Sequence, residues 1–191
     1  NRLAPPKTDA ECMVEQLPEE RYLAAMGVTL VNWISWTLLE QFHIPVSMMT
    51  GQSQGEMAAV CAAGMTDFHA TAPAYWKVLN INPRYGAGGR LGFCWAPAEV
   101  VEPLLKDHPG THIAIYMSPQ AVIIGGERDG VIRLLDVLKE QHIFTQLLPY
   151  PPIHTPVLSY LQGELHEALD SHEFRVKSTH VRMYSSITTE L

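Results

Sequence analysis

One serine of this chain lies in a pattern typical of nucleophilic catalysis. Residues 51–55 read Gly-Gln-Ser-Gln-Gly, with Ser53 at the centre, between a short apolar run and a run of small residues. A nucleophile elbow has its serine on a sharp strand-to-helix turn, which exposes the hydroxyl to solvent. The start of the next helix presents N–H groups and a positive dipole end to a developing oxyanion. The spacing therefore makes Ser53 a candidate catalytic residue.

A second candidate is His154, which lies in the proline-rich stretch 149–156. A histidine held between prolines can be a positioned general base. The chain contains nine histidines, however, and spacing alone favours an ordinary histidine at this position.

Composition excludes several classes of protein. The 191 residues are 47% hydrophobic, enough for one large domain or two small lobes with a core. A net charge of −7 with only 13 Lys and Arg argues against a nucleic-acid partner. No apolar run approaches the ~20 residues of a membrane span and no signal pattern begins the chain, so we expect a cytoplasmic protein without a membrane partner. The three scattered cysteines indicate neither a disulfide framework nor a metal site.

The elements that must position Ser53 follow from periodicity. A helix is expected over 19–42, and it is too apolar for a one-sided surface helix. We expect it to pack beneath the strand that delivers Ser53, with a candidate break at Gly27. After Ser53 the small residues predict a helix ending near Gly64, and a further helix is expected to run to about Leu79 despite Pro73.

From residue 90 to 150 the pattern changes to β-α-β-β-α-β, the order of the ferredoxin-like unit. We expect a core lobe formed by 1–88 and 150–191, which carries the serine and the histidine, and a ferredoxin-like lobe over 89–149. A helix over 157–172 and a strand over 181–187 should close the chain. The expected strands of the small lobe are 91–95, 111–118, 121–126 and 144–148, and its expected helices are 98–106 and 128–141.

Together these motifs resemble the acyltransferase domain of fatty-acid and polyketide synthases, the malonyl-CoA:acyl-carrier-protein transacylase family. The family's Gly-His-Ser-x-Gly-Glu elbow is matched by residues 51–56, and its histidine loop Ala-Phe-His-Ser-Pro by 152–156. Its Asn-x-Pro and Val-x-Ser-Gly segments are echoed at 115–119 and 122–126, and its Tyr-Ser-Thr-Val-Thr-Gly segment at 184–188. The resemblance covers almost the whole chain, with the motifs in the family's order.

The resemblance implies an α/β fold, an α/β-hydrolase-like large lobe with an inserted ferredoxin-like small lobe. It makes Ser53 the acyl-accepting nucleophile, His154 its general base and the Gln54 backbone N–H an oxyanion donor. The implied reaction is ping-pong, from an acyl-CoA to Ser53 and then to the phosphopantetheine thiol of an acyl carrier protein. No bound cofactor or metal is implied, and neighbouring synthase domains such as a ketosynthase are the implied partners.

The chain also departs from the family pattern at positions expected to bind substrate. The family's arginine, 25 residues after the serine, pairs with the carboxylate of malonyl groups, and Val78 stands there. A carboxylate buried without a cation is costly, so Val78 argues against a malonyl pocket unless Lys77 or Arg84 substitutes. The substrate-binding candidates are Gln52 in place of the family's histidine, Lys77, Val78, Met117 in place of its asparagine, and Ile153 before the catalytic histidine.

The family's N-terminal Gly-Gln-Gly-x-Gln segment is absent, as is the part beyond its Tyr-Ser-Thr-Val-Thr-Gly segment. We therefore expect a fragment that is incomplete at both ends. Three functions are compatible with the residues: an acyltransferase, which without the arginine would carry acetyl or another monocarboxylic group; a hydrolase that clears acyl groups from a carrier protein; and a degenerate domain with a structural role.

Overall fold

The computed structural model describes residues 18–81, 88–170, 177–179 and 181–188. Of these, the residues within 18–80 and 164–188 form one compact unit, and those within 81–163 form a second. The helices are α1 (Pro18–Gln41), α2 (Gln54–Ala62), α3 (Phe68–Ile81), α4 (Ala98–Val101), α5 (Arg128–Glu140) and α6 (Gln162–Asp170), with 3-10 segments at Glu102–Asp107 and Pro156–Leu161. The strands are β1 (Met48–Gly51), β2 (Gly89–Cys94), β3 (Thr111–Ser118), β4 (Ala121–Glu127), β5 (Thr145–Leu148) and β6 (Arg182–Ser185).

Helix α1 begins the described part of the first unit and is continuous through Gly27, so the expected break is wrong. It packs against α2, whose Ala58 and Ala59 are buried. Small side chains on α2 allow such a close approach, which explains why α1 lies against this helix. The ring of Trp33 also stacks on Phe68 at the start of α3, with the centroids 5.3 Å apart.

The segment Leu23–Gln41 of α1 is long and apolar enough to cross a bilayer by length and composition, with a mean hydropathy of 1.2. The expectation from the sequence concerned uninterrupted apolar runs, and α1 contains none of about 20 residues, because it intersperses polar residues among apolar ones. One such helix is weak evidence for a span, since buried core helices of soluble proteins and signal sequences have the same length and composition; only 6% of this segment is buried.

Strands β1 and β6 pair in parallel, with Met48 opposite Arg182 and Gly51 opposite Ser185. The amide of Arg182 also donates to the Ser47 carbonyl at 3.1 Å. The strand that leads to Ser53 is therefore held by a segment from the other end of the chain. The sequence predicted both strands but not their pairing.

The second unit is built on a four-stranded antiparallel sheet with the strand order β3-β4-β2-β5. The order of its elements along the chain is β-α-β-β-α-β, as the sequence predicted. Its core joins one face of α5 to the sheet; the fully buried members include Cys94, Val101, Val122, Ile124, Val131, Leu134 and Leu138. The helix expected over 98–106 is α-helical only as far as Val101 and is a 3-10 segment from Glu102 to Asp107. The change occurs because Pro103 has no N–H for an α-helical hydrogen bond.

The boundary between the units differs from the expected one, because residues 150–163 group with the second unit. Pro152 is fully buried, and its Cδ lies 2.6 Å from where a Cβ on Gly89 would stand. Leu161 is also buried. The loop that carries His154 therefore packs on β2, whereas the sequence predicted it in the lobe that carries Ser53. The single helix expected over 157–172 is a 3-10 segment followed by α6, and 171–172 lie outside the described residues.

Candidate active site

Ser53 lies on a sharp turn between β1 and α2, with φ 54° and ψ −121°. Positive φ is uncommon for a residue other than glycine, and such strain is concentrated at functional sites. The turn is closed by two backbone hydrogen bonds, from the Gly55 amide to the Gln52 carbonyl at 2.8 Å and from the Glu56 amide to the Ser53 carbonyl at 3.0 Å. The strand, turn and helix that the motif requires are therefore present.

The two glycines of the elbow have different roles. A Cβ on Gly51 would overlap the carbonyl group of Gly55 and stand 2.5 Å from the Glu56 nitrogen. A Cβ on Gly55 would meet nothing within 4 Å. The backbone therefore requires glycine at position 51 and not at position 55, because only the Gly51 Cβ would point into the crossing backbone.

The side chains of residues 52–54 differ in their exposure to solvent. Ser53 is exposed, and although it is the N-cap of α2 its hydroxyl makes no capping hydrogen bond. Gln52 is exposed and Gln54 is half-buried at the first position of α2. N–H groups in the first turn of a helix have no acceptor four residues back, which suits the expected oxyanion role of the Gln54 amide. The hydroxyl of Ser53 therefore does not cap helix α2.

Tyr75 contacts the elbow and was not found from the sequence. Its hydroxyl donates to Gln54 Oε1 at 3.4 Å from the buried side of α3. Burial raises the pKa of Tyr75, and a hydrogen bond with Thr29 partly opposes that shift. The phenol therefore remains a protonated donor at neutral pH. No local sequence signal marks this contact, because the two residues are 21 positions apart.

Glu56, the last residue of the elbow motif, holds the turn that follows β6. Its Oε1 accepts hydrogen bonds from the Ser186 amide at 2.9 Å and from the Ser186 hydroxyl at 2.6 Å. The Ser185 hydroxyl oxygen accepts from the amides of Ile187 and Thr188, which tightens the same turn. The motifs around Glu56 and Ser186 were both identified in the sequence, but their contact spans 130 residues and was not predicted.

His154 lies in the second unit, exposed on a loop between β5 and the 3-10 segment Pro156–Leu161. Its φ is 61°, so it also adopts a conformation that is unusual for a residue with a side chain. On one side the Ile153 amide donates to the Pro151 carbonyl at 2.7 Å. On the other, the Thr155 hydroxyl donates to the Pro152 carbonyl at 2.6 Å. The loop around His154 is therefore hydrogen-bonded on both sides of the histidine.

The remaining substrate-binding candidates are distributed over both units. Lys77 is exposed and Val78 half-buried at adjacent positions of α3 in the first unit. Met117 is exposed near the end of β3 and Ile153 is half-buried, both in the second unit. Arg84, the other candidate cation, lies outside the described residues.

The two described cysteines, Cys61 and Cys94, are buried and free. Burial raises the pKa of Cys94 to about 12. Burial is also the main reason that the pKa of Cys61 is raised; a hydrogen bond with Thr71 opposes the shift and the charge of Asp67 adds to it. Because the thiolate is the nucleophilic form, neither thiol competes with Ser53 as a nucleophile.

No protein-family model matches the chain. Among curated proteins, the chain is 25% identical over 171 residues to the "Probable polyketide synthase 3" of Dictyostelium discoideum, covering 88% of this chain and 6% of that protein. It is 30% identical over 181 residues to the "Hybrid PKS-NRPS synthetase pynA" of Aspergillus niger, covering 91% of this chain and 5% of that protein. The chain therefore spans less than a tenth of the length of these relatives.

Solved structures show the same fold. The acyltransferase domain from the second module of the salinomycin polyketide synthase matches 94% of this chain with a TM-score of 0.80, at 18% identity and over 45% of its own length. The acyl transferase domain of SpnD matches 85% with a TM-score of 0.77, at 22% identity and over 39% of its length. FabD from Acinetobacter baumannii matches 82% with a TM-score of 0.72, at 19% identity and over 51% of its length.

The resemblance inferred from the sequence motifs is therefore confirmed by both comparisons. The curated relatives are polyketide synthases. The fold, with its mixed α/β content, is that of the acyltransferase domains of such synthases.

Proposed function

We propose that this chain, which resembles the acyltransferase domains of polyketide synthases in sequence and fold, transfers acyl groups through Ser53. The observation that carries the proposal is the elbow itself. Ser53 is exposed, strained at φ 54° and without a capping role at the start of α2. Strain of this kind persists only where the surrounding structure holds it, as Gly51 and Glu56 do here.

In the first half-reaction His154 takes the proton of Ser53 Oγ as that oxygen attacks the carbonyl carbon of an acyl-CoA thioester. A serine hydroxyl is a weak nucleophile at neutral pH and requires such a base. The Gln54 N–H donates to the tetrahedral oxyanion, and one donor of this kind stabilises the transition state by about 3 kcal/mol. When the C–S bond breaks, the proton on His154 passes to the coenzyme A sulfur, which leaves an acyl-serine ester.

In the second half-reaction His154 accepts the proton of a phosphopantetheine thiol on an acyl carrier protein. The resulting thiolate attacks the acyl-serine carbonyl, and the proton returns to Ser53 Oγ as the ester bond breaks. The cycle is ping-pong and requires no bound cofactor or metal. Carrier protein and neighbouring synthase domains are proposed as partners because the curated relatives are multidomain synthases many times longer than this chain.

The proposed substrate is an acetyl or other monocarboxylic acyl group. Val78 is apolar and half-buried where the family resemblance expects the arginine that pairs with the malonyl carboxylate. A desolvated carboxylate without a cation would weaken malonyl binding strongly. Lys77, the residue before Val78 in α3, is exposed and is the described cation that could replace the arginine.

We further propose that the second unit is a ferredoxin-like lobe and that the protein is cytoplasmic.

Intact-protein mass spectrometry tests this function. The chain is incubated separately with acetyl-CoA and malonyl-CoA, with Ser53→Ala and His154→Ala as matched variants. We expect an acetyl adduct that is absent in Ser53→Ala and forms far more slowly in His154→Ala. A malonyl adduct alone would overturn the monocarboxylic substrate, and no adduct in a folded sample would overturn the enzymatic function.

Adding a carrier protein that bears phosphopantetheine to the acetylated chain tests the second half-reaction. Transfer predicts acetyl on the carrier protein. Release of free acetate at the same rate with and without the carrier protein would instead identify a hydrolase.

A further inference from the structure

We infer that the sheet of the second unit positions His154 through two glycine gaps, one at Gly89 that receives Pro152 and one at Gly125 that receives Thr155. Pro152 and Thr155 are then positioning residues for the proposed base. The inference rests on the proposed function, because it gives these residues a role only if His154 acts as the base.

The first gap lies in β2. Pro152 is fully buried, and a Cβ on Gly89 would collide with its ring, standing 2.6 Å from the Cδ atom. The same Cβ would lie 3.1 Å from the Gly126 carbonyl oxygen on the paired strand β4. The ring of Pro152 therefore occupies space that exists because residue 89 has no side chain. This contact anchors the loop two residues before His154.

The second gap lies in β4. A Cβ on Gly125 would stand 2.7 Å from Thr155 Cγ2 and 2.7 Å from Leu91 Cδ2. Leu91 lies opposite Gly125 in the β2–β4 register, so Thr155 sits over the same pair of strands that receives Pro152. This contact anchors the loop one residue after His154.

The two anchors are also joined to each other. The hydroxyl of Thr155 donates to the Pro152 carbonyl at 2.6 Å, so that Ile153 and His154 form a short closed turn. One side of the Thr155 side chain fills the glycine gap and the other makes this hydrogen bond. Thr155 therefore both sets the distance of the turn from the sheet and closes the turn by its hydrogen bond.

The backbone of His154 indicates why anchoring matters. Among the described residues other than glycine, those with positive φ are His43, Ser53, His142 and His154. His43 and His142 follow the ends of α1 and α5, where their amides donate to the Glu40 and Lys139 carbonyls and a left-handed residue is common. Ser53 and His154, which have the proposed catalytic roles, do not follow a helix end. Their unfavourable conformations must be imposed by surrounding contacts, which for His154 include the two anchors.

The test separates packing from hydrogen bonding at Thr155. Thr155→Val keeps both branches at Cβ and loses the hydroxyl, Thr155→Ser keeps the hydroxyl and loses Cγ2, and Gly125→Ala fills the gap. Gly163→Ala is the control, because a Cβ there would meet nothing within 4 Å. For each variant the rate of acetyl-Ser53 formation is measured by mass spectrometry over a range of acetyl-CoA concentrations and pH. Circular dichroism verifies that each variant is folded.

We expect Gly125→Ala and Thr155→Val to slow acylation at saturating acetyl-CoA by about 10- to 100-fold, because a displacement of ~1 Å has effects of this size. The concentration at half-maximal rate should change little, since the anchors do not contact the donor in this proposal. Adding Thr155→Ser to Gly125→Ala should restore part of the rate, because it removes the methyl group that the new Cβ meets. Gly163→Ala should react at the rate of the unmodified chain.

The outcomes distinguish this inference from the proposed function. If His154→Ala is acylated as fast as the unmodified chain, the function of His154 is wrong and the positioning role is wrong with it. If His154→Ala is slow while Gly125→Ala and Thr155→Val react normally, the base is retained and the positioning inference is overturned. If Gly125→Ala does not fold, Thr155→Val decides, and a normal rate in that variant overturns the inference.

Discussion

The backbone at Gly51 lies against the peptide unit that joins Gly55 to Glu56, so closely that a Cβ on Gly51 would stand 2.5 Å from the Glu56 nitrogen. The last residue of β1 thereby touches the first turn of α2 across the elbow. This contact leaves Ser53 at the tip of the turn between them. It also means that Gly51 is required by close backbone packing, whereas Gly55 is not.

Gly51→Ala and Gly55→Ala should therefore behave differently. Gly51→Ala is expected to reduce the free energy of unfolding by about 1 to 3 kcal/mol, the usual cost of overpacking, and to abolish acylation. Gly55→Ala should be neutral or stabilising by up to about 1 kcal/mol, because alanine is favoured over glycine within a helix. Urea denaturation measures both. Equal destabilisation by the two substitutions would contradict the close approach at Gly51.

The carboxylate of Glu56 should stabilise the turn after β6. Glu56→Ala removes the acceptor of two hydrogen bonds and is expected to cost about 1 to 2 kcal/mol, whereas Glu56→Gln keeps a side-chain oxygen and should lose less. Ser186→Ala removes only the hydroxyl donor and should fall between the unmodified chain and Glu56→Ala. The midpoint of urea denaturation gives this order, and a Glu56→Gln variant as unstable as Glu56→Ala would argue against the contact.

The buried thiols should be inert in the folded chain. With a pKa of about 12, Cys94 is ionised in roughly one molecule in 10⁴ at pH 8, and thiolate is the form that alkylates. Brief treatment with iodoacetamide at pH 8 should leave Cys61 and Cys94 unmodified in peptide maps and should leave acylation of Ser53 intact. Reactivity should rise as the pH approaches the raised pKa, and both thiols should react in urea. Rapid alkylation of Cys94 in the native chain would contradict its burial.

Val78 should make the site favour acetyl over malonyl, which carries a free carboxylate. Val78→Arg is expected to raise the ratio of malonyl to acetyl adducts, because a guanidinium can pair with the malonyl carboxylate. Val78→Met changes the size of the side chain without adding charge and serves as the matched control. The two adducts are measured by intact mass in a mixture of both donors. An unchanged ratio in a folded Val78→Arg variant would show that residue 78 does not contact the acyl group.

Local patterns sufficed for much of this protein. The elbow at Ser53, the helix α1 and the β-α-β-β-α-β order of the second unit all follow from the spacing of apolar, small and turn-forming residues. These features depend on residues only a few positions apart, so the local sequence is enough to predict them.

Only the tertiary structure decided which distant segments meet. The parallel pairing of β1 with β6, the bond from Ser186 to Glu56 and the seating of Pro152 on Gly89 join residues far apart in the chain. No periodicity encodes such contacts, because they depend on the register and shape of two separately formed surfaces. The sequence by itself therefore identified Ser53 and His154 as candidates, while the fold determined that the loop of His154 packs on the sheet of the second unit.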